Sequence, residues 1–137
     1  ETCPIKVTFT PNTTGYDAYK MTSGATKEYT LLFKENLTNA TLTSPVYAGT
    51  LLTATDNNKL DNGWRELNLS GITAATDLMT GSAVITGNTT GAVNGSVSYD
   101  LKLRFYNLGI DQNSNTGKSF GGTITFTSTS DCVASNA

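Results

Sequence analysis

Gly117-Lys118-Ser119 ends the way a phosphate-binding loop ends, so a nucleotide site is the first chemistry to test. The full loop reads G-x-x-x-x-G-K-[ST], and its first glycine would fall at position 112, where Gln112 stands. Such a loop also opens a helix, whose N-terminal amides face the phosphates. After Ser119 the chain instead alternates Phe, Gly, Ile and Phe with Gly and Thr, which is strand periodicity. A turn into a strand is the better reading. Asp111, Asn113 and Asn115 resemble the start of a calcium loop, but Thr116 stands where the tight-turn glycine belongs and Gly122 where the bidentate glutamate belongs. A turn explains them better. The chain has no histidine, which removes the commonest general base, nucleophile partner and metal ligand. Asp17, Glu28, Glu35 and Glu66 are separated by strands and loops, and spacing pairs none of them. No catalytic residue, metal or cofactor is expected, and the chain is read as a non-enzyme.

One stretch has the composition of a binding site. Asp61-Asn62-Gly63-Trp64-Arg65 sets the single tryptophan beside an amide, a carboxylate and a guanidinium. Sugar rings stack on aromatic faces and their hydroxyls need paired donors and acceptors. Asp61, Asn62, Trp64 and Arg65 are therefore the candidate ligand residues, against the plainer reading of a core tryptophan at a strand start. Lys6 and Lys34 lie within strands, where some surface proteins join a lysine to Asn or Asp; Lys6 alternates outward with threonines and reads as an exposed lysine. Asn12, Asn36, Asn39, Asn68, Asn88 and Asn94 each begin N-x-[ST], a pattern that the abundance of Asn, Ser and Thr produces in part by chance.

The elements that must position these residues are strands. The 137 residues make one domain with room for a core, and a net charge of −2 with scattered basic residues argues against nucleic acid. No apolar run approaches a membrane span of roughly 18 residues. No leader peptide is visible, although a mature secreted chain would have lost one. Threonine favours pleated, half-exposed surfaces, while glycine and asparagine favour turns. Cys3, Ile5, Val7 and Phe9 share one face of the first strand; Tyr29, Leu31 and Phe33 share one face of the second. Leu42, Val46, Tyr47, Leu51 and Leu52 suggest two short strands broken near Pro45 and Gly49, and "WRELNLSG" begins another. Residues 71–80 tolerate a helical turn, followed by a short strand "SAVIT". Val97, Tyr99, Leu101, Leu103 and Phe105 alternate with Ser98, Asp100, Lys102, Arg104 and Tyr106, and Phe120, Ile124 and Phe126 mark a last strand. The expectation is all-β: an Ig-like or Greek-key sandwich of seven to eight strands over residues 1–137.

Cys3 is in phase with the inward face of the first strand, and Cys132 with Ile124 and Phe126 if the last strand runs straight that far. A Cys3–Cys132 disulfide is expected, and with it an extracellular or periplasmic location.

"CPIKVTFTP" at the start, "GWRELNLSG" in the middle and "SFGGTITFTSTS" at the end together resemble subunits of bacterial fimbriae built by the chaperone–usher route. The resemblance implies an incomplete Ig-like fold that accepts a strand from a neighbouring subunit or a periplasmic chaperone, a cell-surface location reached through the periplasm, and attachment to a host glycan or surface receptor. Many members pair their cysteines within the first third of the chain, whereas here the second is Cys132. Polymerising members carry an extension ahead of the first strand; only Glu1 and Thr2 precede Cys3 here, which implies a tip subunit or a trimmed chain. A self-complete carbohydrate-binding module centred on Trp64 is the alternative expectation.

Overall fold

Alternation builds the first strand as expected. In the computed structural model, which describes residues 2–12, 27–53, 61–85, 95–112 and 121–128, β1 (Thr2–Pro11) buries Cys3, Ile5, Val7 and Phe9 and turns Lys6 outward. The other strands are β2 (Tyr29–Thr38), β3 (Ala40–Tyr47), β4 (Thr50–Leu51), β5 (Arg65–Asn68), β6 (Thr76–Ile85), β7 (Ser96–Phe105) and β8 (Gly122–Ser128). Two antiparallel four-stranded sheets result, in the orders β3-β6-β1-β8 and β4-β5-β2-β7. The molecule is an eight-stranded all-β sandwich whose chain crosses repeatedly between sheets, and β8 returns to pair with β1.

Between the sheets lie Ile5, Val7 and Phe9 of β1, Leu31 and Phe33 of β2, Leu69, and Leu78, Met79 and Ala83 of β6. Removing a Leu, Val or Phe side chain of this kind from water is worth about 1.5–3 kcal/mol. β2 is buried on both faces, since the outward Leu32 and Thr30 are as inaccessible as the inward Leu31 and Phe33.

Two local expectations need correction. Residues 71–80 hold no helical turn; Thr76 onward is β6, one continuous strand through Ile85. A bulge hides its period: Val7 pairs with Met79 and Thr8 with Asp77, so Leu78 has no opposite number. The extra residue lets Leu78 and Met79 both enter the core, which breaks strict alternation. Pro45 does not break β3. The strand bulges there, between Thr43 and Val46, and as a sheet edge it has no outer ladder for a proline to interrupt. The break near Gly49 is real, and there the chain leaves one sheet for the other.

Candidate functional site

The Asp61–Arg65 stretch is a tight turn that feeds β5, with Trp64 N–H donating to the Asp61 carbonyl at 2.9 Å. The turn separates the four candidate residues. Asn62 is exposed. Arg65 enters β5 and lays its guanidinium over the Tyr47 ring, 3.9 Å from the centroid. Asp61 and Trp64 instead meet the outward face of β7. Lys102 Nζ sits 2.5 Å from Asp61 Oδ1 and 4.2 Å from the centroid of the Trp64 ring. One face of the tryptophan is thus occupied by a cation of the same chain. Arg104 Nη2 lies 2.5 Å from Asp61 Oδ2, an ion pair without hydrogen-bond alignment.

Asp61 belongs to a larger charged cluster on this face of the sheet. Glu66 accepts from Lys27 Nζ at 2.7 Å, from Thr30 Oγ1 at 3.1 Å and from the Tyr106 hydroxyl. Arg104 Nη1 stands 3.9 Å from Glu66, so its guanidinium links the two carboxylates. Asp61 and Glu66 are only 1% and 7% exposed. Burial alone would raise both pKa values. The Lys102 hydrogen bond and the charges of Lys102 and Arg104 outweigh it at Asp61, and the contacts of Lys27, Tyr106 and Thr30 outweigh it at Glu66, so both lie below the usual carboxylate values. Carboxylates held ionised and capped in this way cannot donate protons. They tie β2, β5 and β7 together. Sequence could not reveal the cluster, because its bonded partners lie 36 to 43 positions apart and meet only through strand pairing.

The second feature is the seam between β7 and β8, the last strands of their sheets on the same side of the sandwich. Tyr99 and Phe126 close it at one point, with ring centroids 6.0 Å apart. Further along β7 it gapes. Leu101, Leu103 and Phe105 all face inward by register, opposite Phe33, Leu31 and Tyr29 of β2, yet are 41%, 58% and 49% exposed. The outward Lys102 and Arg104 are half-buried, so burial along this strand is inverted. The opening is a groove of about 420 Å³ with Phe9 and Leu31 among its lining, rimmed by Leu101 and Leu103 on one side and by Gly121, Gly122 and Ile124 on the other. Gly122 helps keep it open, since a Cβ there would run into the Phe9 ring.

Cys3 is buried and is not a free thiol. Cys132, Gly117-Lys118-Ser119, Asn113, Asn115, Asn88 and Asn94 lie outside the described residues. Among the described residues no group of three or more Asp, Glu or Cys side chains is placed to hold a metal, and no helix is long and apolar enough to cross a membrane. Among the described residues Lys6 makes a surface pair with Asp77, at 3.6 Å. Comparison of the chain with family models, curated proteins and solved structures returns no match.

Proposed function

We propose that the chain is an extracellular structural and adhesive subunit of a bacterial fimbria, and that its sandwich is completed by a strand from a neighbouring subunit. Inverted burial on β7 carries this reading: three inward-facing apolar side chains stand exposed along a strand edge that no other described strand pairs. The rims of the groove are strand edges, whose outward N–H and C=O groups suit a backbone partner. An extended segment supplies them, while its alternate apolar side chains fill the space above Phe9 and Leu31. A helix or a small molecule would satisfy the apolar floor and leave the edges unpaired. During transit through the periplasm a chaperone strand would occupy the same seam.

The alternative, a self-complete sugar-binding module, needs Trp64 as a free platform. One of its faces already carries Lys102, and Asp61 is committed to two cations. The strand-acceptor reading is therefore preferred. It is tested with a synthetic peptide of about ten residues, alternating Ile and Val with Thr. Capture that raises the thermal midpoint of the chain, and is lost in Leu103→Lys, is the expected result. An unchanged midpoint at saturating peptide would overturn the proposal.

A further inference from the structure

The opposite edge of the sandwich, where β3 faces β4 and β5, holds a smaller and chemically different pocket of about 200 Å³. Phe33 and Leu51 give it an apolar wall, and Lys34, Glu35, Tyr47 and Arg65 supply its polar groups. Glu35 points inward from β2 and is gripped by two phenols. Tyr47 from the facing sheet donates to Oε1 at 2.9 Å, and Tyr99 from β7 donates to Oε2 at 2.5 Å. Burial first, and then Glu35, push the Tyr47 hydroxyl up to about 12, so it is a neutral donor at any physiological pH. The Arg65 guanidinium is held flat over the Tyr47 ring. Lys34 passes along Gly63, where an added Cβ would sit 3.9 Å from Lys34 Cε.

Arg65 and Lys34 differ from the other cations among the described residues. Lys6, Lys27, Lys102 and Arg104 each pair with a carboxylate, whereas among the described residues no carboxylate lies within ion-pair distance of Arg65 or Lys34. An aromatic-backed guanidinium suits a planar carboxylate. Glu35 and the Tyr47 hydroxyl suit sugar hydroxyls, which both donate and accept. The volume falls below the roughly 300–1,000 Å³ of sites for drug-sized ligands, as a site for a single sugar unit would.

We infer that this pocket binds an acidic monosaccharide, its carboxylate on Arg65 and its hydroxyls on Glu35 and Tyr47. The inference is independent of strand addition, since the seam lies at the other edge of both sheets.

The test is titration of the isotope-labelled chain with sodium glucuronate, glucose and sodium acetate, read by amide chemical shifts. Glucuronate should give saturable shifts centred on Tyr47, Gly63 and Arg65, with glucose and acetate at least about tenfold weaker. Arg65→Gln should weaken glucuronate by about tenfold or more, and Leu103→Lys, at the other edge, should leave it unchanged. A circular-dichroism melt of Arg65→Gln checks that the fold is retained; if it is not, Arg65→Lys, which keeps the charge and loses the two-pronged N–H fork, serves as the second variant. Three results would overturn the inference: no saturable shift with glucuronate, equal affinity for acetate, or undiminished binding in the folded variant. Free glucuronate and a methyl glucuronide, which mimics a glycan terminus, then separate a free acid from a glycan end as the source of the ligand.

Discussion

Asp61 shows how little of a residue's role is set by its neighbours in the chain. In sequence it stands beside Trp64 and reads as a ligand to a sugar; in the fold it is the anion that Lys102 and Arg104 share. Asp61→Ala leaves those two cations facing each other without their counter-ion. The expected loss lies below the roughly 3–5 kcal/mol of breaking a fully buried pair, because the Lys102 and Arg104 side chains remain 36% and 25% exposed. Urea unfolding of the variant measures it, and a change within about 0.5 kcal/mol, typical of plain surface sites, would show that the cluster contributes nothing. The titrating residues also set the pH limits. Asp61 and Glu66 have folded pKa values below their ordinary 3.8 and 4.5, so their contribution is present above those values and is lost as pH falls through the folded ones. Tyr47 and Tyr99 have folded pKa values raised above 10, by burial and by Glu35. Their contribution is complete below pH 10 and disappears as pH rises toward and past 12. Thermal melts should therefore hold level with respect to these groups between pH 6 and 9 and fall above about 10, together with tyrosinate absorbance. Ionisation of all six tyrosines near pH 10 without loss of fold would contradict the Glu35 contacts.

At the scale of elements, strict alternation is what the sequence makes legible. It placed β1 and β7 with their faces correctly assigned, because neither strand's pairing with β8 or β2 is interrupted. It failed at β6, where the bulge at Leu78 sends consecutive residues inward, and at β3, where an edge strand absorbs Pro45. Parity also says which face a side chain joins and nothing about what covers that face. Leu101 and Leu103 fall on the apolar face of β7 and stand at an open seam. The Lys27–Glu66–Arg104–Asp61 cluster was illegible for a related reason: its contacts exist only once β2, β5 and β7 are in register. The crossing from β3 to β4 rests on Gly49, at φ +76°, where an added Cβ would lie 2.5 Å from the Glu66 carbonyl oxygen. Gly49→Ala should cost at least the roughly 1–3 kcal/mol of a strained backbone position, seen as a lower denaturation midpoint. A stability equal to the parent's would mean that the β3–β4 crossing is not held as described.

For the whole molecule, the two edges of the sandwich differ in chemistry. One has a polar pocket whose Arg65 pairs with no carboxylate among the described residues; the other has an apolar groove between strand edges. A chain whose apolar groove awaits a strand has its own copies as the nearest source of strands. Light scattering behind size exclusion, on the chain alone and over days, is the most direct measurement of the strand-acceptor account. The account predicts slow association or precipitation, relieved by the alternating peptide and by Leu101→Lys with Leu103→Lys. A chain that stays monomeric and soluble at high concentration, with or without the peptide and irrespective of those substitutions, would contradict it.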